Sequence, residues 1–115
     1  MKPRAATLNL PDLTADRKAF EKLEPVIHAK GRLGIVSVLA AVESLTFTEL
    51  RDALRLTDGN LAAHLRALDV AGFVHQTKRG RDTGRAVTAI ALSTTGRTAF
   101  ARYVEGLEHI VKRHR

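Results

Sequence analysis

The chain has 115 residues, a length that fits one domain and allows a core of ordinary size. Nineteen lysines and arginines stand against twelve aspartates and glutamates, and the net charge of +7 favours a polyanionic partner, either nucleic acid or an acidic membrane. The absence of cysteine excludes disulfides, thiolate metal sites and thiol nucleophiles.

No part of the sequence predicts a membrane span or secretion. The longest nearly unbroken apolar run, from Leu33 to Val42, has ten residues, whereas a helix needs about 20 to cross a bilayer. The basic start is not followed by the apolar stretch of a secretory signal. The expected location is therefore the cytoplasm.

The first segment predicts an arm and two helices. Residues 1–13 carry two prolines and are expected to form an arm. Thr14 can cap a helix that begins at Ala15 and has Phe20 and Leu23 on one side. The proline at position 25 disfavours helical geometry in the residue before it and suits the first turn of a short helix over residues 26–29.

The next segment, Arg32–Val42, predicts an amphipathic helix. Its β-branched content leaves a strand as the alternative, against which the length argues. Gly34 would cost about 1 kcal/mol inside a helix, so a neighbouring element is expected to pack closely there. The apolar positions at helical spacing are Ile35, Val38, Leu39 and Val42.

Two further helices follow in quick succession. Either Thr46 or Thr48 can cap the first, and Thr46 with Glu49 has the spacing of a capping box. Thr57 is the N-cap of the second, which runs from Asp58 to about Val70 and ends before a glycine. The apolar faces are Leu50, Ala53 and Leu54 in the first helix, and Leu61, Leu65 and Leu68 in the second.

The remainder predicts a hairpin and a long helix. Strands over Phe73–Lys78 and Arg85–Leu92 flank a polar, glycine-containing turn, with Thr88, Ile90 and Leu92 on one side of the second strand. Ser93 caps the last helix. A helix pair joined by a tight turn and followed by a basic hairpin predicts a winged helix-turn-helix, a mainly α fold with a small β-hairpin (α+β). We expect an arm over 1–13, the winged domain over 14–92 and a dimerisation helix over 93–115.

The helix from Asp58 to Val70 is the candidate recognition helix. Its leucines define the buried side, and His64 lies at the margin of the opposite face. Asn60 can pair with adenine, and Arg66 can reach guanine or a phosphate, while small residues let the backbone approach the major groove. The predicted DNA contacts of this helix are Thr57, Gly59, Asn60, Ala63, His64 and Arg66. The alternative is a surface helix of an all-α scaffold.

The hairpin turn carries the stronger signal for nucleic acid. Lys78, Arg79, Arg81 and Arg85 against Asp82 give a local charge of +3 over eight residues. Like charges at a turn repel one another, and a polyanion removes that cost. A narrow turn of this kind suits the minor groove, where arginine is attracted by the negative potential. The alternative is a solvated charged loop.

The last helix has an apolar stripe that either covers its own domain or packs against a second copy of the chain. Its length exceeds what a winged domain needs, which favours a dimer. The predicted interface residues are Phe20, Leu23, Phe100, Val104, Leu107 and Val111.

Histidines and carboxylates form no recognisable catalytic set. Glu105 and His109 have a spacing that can hold zinc, but a helix-face ion pair is the favoured interpretation. His28 is expected to be a satisfied interior or interface histidine. We therefore expect no enzyme activity, no cofactor and no metal site.

Several short motifs together resemble the small winged-helix transcriptional regulators of the MarR and ArsR classes. The resemblance spans roughly residues 20 to 110 and implies a homodimer with recognition helices in successive major grooves and wings on flanking minor grooves. Ala62 stands where relatives often carry serine, and the cysteine metal-sensing motif of the ArsR class is absent. The motifs are Leu23-Glu24-Pro25-Val26-Ile27-His28, Arg32-Leu33, Thr57-Asp58-Gly59-Asn60-Leu61 with His64-Leu65 and Leu68, Ala71-Gly72-Phe73-Val74, and Leu92-Ser93 with Gly96-Arg97.

The expected function is therefore that of a homodimeric, double-stranded DNA-binding transcriptional regulator, acting as a repressor. Two rivals stay open, a winged-helix module that binds protein and an RNA-binding adaptor. The alanines on the open face of the recognition helix favour the first to some extent, because a protein-binding module would have an apolar exposed face. The absence of aromatic residues between Lys78 and Arg85 argues against the second. A small-molecule effector is a further candidate partner, but no residue set indicates its chemistry.

Overall fold

The computed structural model describes residues 14–80 and 86–114, which form six helices and two strands. This content confirms the predicted fold class, mainly helical with an antiparallel hairpin. The elements are α1 (Thr14–Glu21), α2 (Pro25–His28), α3 (Lys30–Ala40), α4 (Phe47–Leu54), α5 (Asp58–Val70), β1 (Val74–Arg79), β2 (Val87–Leu92) and α6 (Thr94–Arg113).

Local capping chemistry explains where three of the helices begin. The Thr46 hydroxyl accepts the Glu49 N–H at 3.1 Å while the Glu49 carboxylate accepts the Thr46 N–H at 2.9 Å, so α4 starts with a complete capping box. Thr57 accepts the Asn60 N–H at 3.1 Å and starts α5. Ser93 accepts the Gly96 N–H at 2.9 Å and starts α6. Each such cap is worth about 1 kcal/mol.

The core is built around α3, which contacts α2, α4, α5, α6 and β2. The helix assignment of this segment is confirmed, but its buried stripe is Ile35, Val36 and Leu39. Val42 is 37% exposed because the helix ends at Ala40. A Cβ built at Gly34 would lie 3.4 Å from a Leu54 methyl group, so α4 is the neighbouring element here, but the contact is an ordinary one that leaves room for alanine. Among the described residues, the other large side chains that are fully buried are Ile27, Leu50, Leu61, Leu68 and Tyr103.

The hairpin pairs β1 with β2 in antiparallel register from Val74–Leu92 to Arg79–Val87. Thr88 is exposed, whereas residues 89–92 are all buried, so the alternation expected for β2 is absent. The strand is covered from several sides, because α3 and α6 both contact it and Leu45 exchanges two backbone hydrogen bonds with Ile90, of 3.0 and 2.7 Å.

The first and last helices pack against each other within one chain. Gly106 of α6 lies so close to α1 that a Cβ there would be 2.7 Å from the Ala19 carbonyl oxygen. The Lys22 ammonium and the Glu105 carboxylate form an ion pair of 2.5 Å across the same contact. The two helices therefore form a layer beside the winged domain.

Candidate nucleic-acid interface

The exposed side of α5 is the centre of the candidate interface. Residues 57–60 are all exposed, as are Ala63 and Arg66 farther along the helix. Leu61 and Leu68 are completely buried on the opposite side. The predicted division of this helix into a core face and an open face is therefore present in the structure.

Two of the predicted DNA-contact residues, Thr57 and Asn60, have polar groups that can form further hydrogen bonds. The Asn60 backbone N–H is used by the Thr57 cap, but the Asn60 side-chain amide has no partner among residues 14–80 and 86–114. The Thr57 hydroxyl accepts that one hydrogen bond and retains its proton as a donor. Asn60 can thus offer both a donor and an acceptor to a base edge, as adenine requires.

An ion pair spans the turn between α4 and α5. The Arg51 guanidinium donates to Asp58 at 2.8 Å and to Asp52 at 3.0 Å. Hydrogen bonds to Asp58 and then to Asp52 raise the pKa of Arg51. Asp58 is the first residue of α5, so this pair links α4 directly to the start of the candidate recognition helix.

His64 differs from the other predicted contacts because it is half-buried. Its ring lies against Gly31 of α3, where a Cβ would come within 3.0 Å of three ring atoms. The side chain therefore lies at the contact between α5 and α3. A role for His64 in binding DNA stays a prediction.

The hairpin brings basic side chains beside α4. Lys78 donates to the Thr88 hydroxyl at 3.0 Å across the two strands. Arg79 forms an ion pair of 2.6 Å with Glu49 and donates to the Ser44 carbonyl oxygen at 3.4 Å. Arg81 and Arg85, the other predicted wing contacts, lie outside the described residues.

Glu49 joins the hairpin to the helix-turn-helix. Its carboxylate accepts the Thr46 backbone N–H and the Arg79 guanidinium, and these contacts, in that order, lower its pKa. The sequence identified Glu49 as part of a capping box but missed its pairing with Arg79. No local pattern could reveal a contact between residues 30 positions apart.

The six predicted dimer-interface residues divide into two sets. Leu23, Phe100 and Leu107 are partly buried and pack against the core of their own chain. Phe20 is 68%, Val104 36% and Val111 50% exposed. Both predicted uses of the last helix, covering its own domain and offering an apolar surface, are therefore compatible with the structure.

The remaining site predictions concern histidines and metal. Glu105 pairs with Lys22, and His28 forms a hydrogen bond of 2.9 Å between its Nδ1 and the hydroxyl of the buried Tyr103. Burial raises the pKa of Tyr103. Within residues 14–80 and 86–114, no group of three or more histidine, aspartate or glutamate side chains is placed to hold a metal ion.

None of the helices in these ranges is both long and apolar enough to cross a membrane.

Comparison with known sequences agrees with this geometry. The family model "Winged helix DNA-binding domain" matches residues 32–111. An uncharacterized protein of Methanocaldococcus jannaschii is 41% identical over 79 residues, which are 69% of this chain and 85% of that protein.

Several solved structures are similar in fold. A transcriptional regulator homologue from Pyrococcus horikoshii OT3 has a TM-score of 0.72 and 26% identity, over 84% of this chain and 95% of that one. MepR of Staphylococcus aureus in complex with DNA has a TM-score of 0.67 and 22% identity, over 85% and 79%. The transcriptional repressor CouR on a 23-mer DNA duplex has a TM-score of 0.63 and 23% identity, over 84% and 66%. The family match and the fold of these neighbours confirm the predicted resemblance to winged-helix regulators.

Proposed function

Because this chain belongs to the winged helix DNA-binding domain family, we propose that it regulates transcription as a homodimeric, sequence-dependent DNA-binding repressor. The observation that carries the proposal is the open face of α5, which is exposed from Thr57 to Asn60 and again at Ala63 and Arg66. A basic hairpin stands beside the same helix-turn-helix through the pair of Arg79 with Glu49.

In the proposed complex the start of α5 enters the major groove. Asn60 reads adenine through its unpartnered amide, and Arg66 reaches a guanine or a phosphate. Gly59 and Ala63 let the helix backbone approach the base edges. The hairpin, with Lys78, Arg79, Arg81 and Arg85, lies at the flanking minor groove.

The proposed dimer uses the exposed apolar side chains of α1 and α6. Phe20, Val104 and Val111 expose large hydrocarbon surface to water, which a second copy of the chain would cover. Residues 93–115 then act mainly as the dimerisation helix. A two-fold axis would place the two recognition helices about 34 Å apart, one turn of B-DNA.

Selection of bound fragments from random duplex DNA tests sequence preference, half-site spacing and symmetry together. If each protomer neutralises about four phosphates, the logarithm of affinity against the logarithm of salt concentration has a slope near −7 for the dimer. A complex that is insensitive to salt would contradict the proposal. Light scattering of the free protein tests the dimer, and the double variant V104E/V111E is expected to be monomeric.

Two substitutions separate base reading from backbone contact. Asn60→Ala is expected to change the preference among sequences, whereas R79A with R81A is expected to weaken binding to all duplexes about equally. If Asn60→Ala weakened every duplex alike, Asn60 would not be a base reader. Lys18→Gln on α1 removes one exposed positive charge at a position that is named in neither the proposed DNA contact nor the proposed dimer contact, and it is the control for net charge.

A protein partner is the second candidate, because Val70 at the end of α5 is 83% exposed beside the exposed Ala63. A module that binds protein through this face would bind duplex DNA weakly and without preference in the selection experiment. A small-molecule effector would be detected as a compound that changes the affinity for the selected DNA.

A further inference from the structure

Arg55 has an unusual backbone conformation. It ends α4 with φ 55° and ψ 43°, the left-handed region, and among the described residues it is the one non-glycine with a positive φ. Glycine is the usual residue at such a helix end, because a Cβ is disfavoured there. The closing hydrogen bonds of α4 come from the Arg55 backbone N–H to the carbonyl oxygens of Arg51 and Asp52, so they do not require an arginine side chain.

The fold also makes no use of the Arg55 guanidinium. The residue is exposed, and no hydrogen bond or ion pair joins its side chain to any residue in 14–80 or 86–114. Arg51, one turn earlier, is the contrast, since it pairs with both Asp52 and Asp58. A strained backbone with an unused charged side chain indicates a role outside the folded chain itself.

The position of Arg55 indicates what that role is. It lies in the turn between α4 and α5, two residues before Thr57, where the exposed run of the candidate interface begins. It precedes the helix that would enter the groove, so its natural partner is the sugar–phosphate backbone rather than a base. The planar guanidinium can donate two parallel hydrogen bonds to a phosphate.

We propose that Arg55 binds a DNA phosphate and fixes the register of α5 in the groove, at the expense of the stability that glycine would provide. This assignment rests on the proposed function of the protein. Phosphate contacts carry no sequence information, so Arg55 supports the binding of every duplex to the same extent.

The decisive variants are Arg55→Gly, Arg55→Asn and Arg55→Lys, each measured for melting temperature and for DNA affinity as a function of salt. Glycine and asparagine both adopt the left-handed conformation readily. Arg55→Gly is expected to raise Tm by about 2 to 4 °C. It is expected to weaken binding roughly tenfold, on preferred and scrambled duplexes alike. Arg55→Asn is expected to lose affinity similarly.

The salt dependence identifies the contact as a phosphate. Losing one phosphate contact per protomer reduces the slope by about 2 for the dimer. Arg55→Lys retains the charge and is expected to keep the slope of the natural protein. Lys18→Gln removes the same charge from α1 and is expected to leave the slope unchanged.

Three results would overturn the assignment. The first is Arg55→Gly and Arg55→Asn proteins that bind with unchanged affinity and slope while the natural protein binds DNA normally. The second is a loss of affinity confined to the preferred sequence, which would make Arg55 a base reader. The third is a lower Tm for Arg55→Gly, which would remove the evidence from backbone strain. Failure of the natural protein to bind any duplex would instead refute the proposed function itself.

Discussion

Gly31→Ala tests whether the recognition helix is held in place by a close contact with α3. Gly31 is the second residue of α3, and the ring of His64 from α5 lies directly over it. A Cβ at this position would come within 3.0 Å of three ring atoms, closer than carbon and nitrogen atoms normally approach. Either the ring leaves its place or the two helices move apart.

The size of the effect follows from two opposing terms. Overpacking a well-packed contact costs about 1 to 3 kcal/mol, and the lower end of this range applies here because the half-buried ring is the far end of a side chain that can rotate away. Alanine gains up to about 1 kcal/mol over glycine in a helix, and less near the helix end where Gly31 lies. Gly31→Ala is therefore expected to destabilise the protein by about 0.5 to 1 kcal/mol. In a His64→Ala background the ring is absent, and the same change is expected to be neutral or to stabilise by about 0.5 kcal/mol.

Urea unfolding of the natural protein, both single variants and the double variant gives the coupling energy between the two positions. We expect about 1 kcal/mol. Gly34→Ala is the matched control on the same helix, since its Cβ would make an ordinary contact of 3.4 Å with Leu54 and does not involve His64. It is expected to stabilise both backgrounds equally. A Gly31→Ala effect that is the same with and without the ring would refute the proposed contact.

Two further predictions concern the α1–α6 contact and the hairpin. Gly106→Ala is expected to destabilise the protein by about 2 kcal/mol, because the new Cβ meets the backbone of Ala19, which cannot rotate away. Separation of α1 from α6 would be detected as faster amide exchange in α1. Unchanged exchange would contradict the prediction. The lowered pKa of Glu49 stabilises the fold above its ordinary value of 4.5, and this contribution is lost as the pH falls through the lower, folded-state value. Urea midpoints measured from pH 6 downwards are expected to fall less steeply in Glu49→Gln, and equal slopes would show that the carboxylate contacts do not matter.

The helix starts were predictable because the sequence contains their chemistry within four residues. Thr46, Thr57 and Ser93 each cap the helix that follows, as their spacing to the next N–H groups indicated. The ends of the elements shifted by one or two residues. The burial of β2 was not predictable, because it depends on contacts with α3 and α6 and on a backbone bridge from Leu45, and no local pattern in the strand indicates these.

The candidate site was predictable in location but not in its internal pairing. Helical spacing placed Leu61 and Leu68 in the core and so left Asn60 and Arg66 exposed. The same spacing put His64 at the margin, where only the close approach of α3 decides that its ring packs inward. Spacing within one helix contains no information about a neighbouring helix, and this limits what the sequence alone can assign.

Ion pairs within the chain also determine how many of its positive charges can bind DNA. Two of the arginines near the candidate interface are already engaged, Arg51 with Asp58 and Arg79 with Glu49. Exposed pairs of this kind add little to stability. The two pairs join α4 to the start of α5 and to the hairpin. A phosphate can recruit either guanidinium only in competition with its carboxylate. The salt dependence of binding therefore reports the cations that remain free or are released from such pairs, and not the formal charge of the chain.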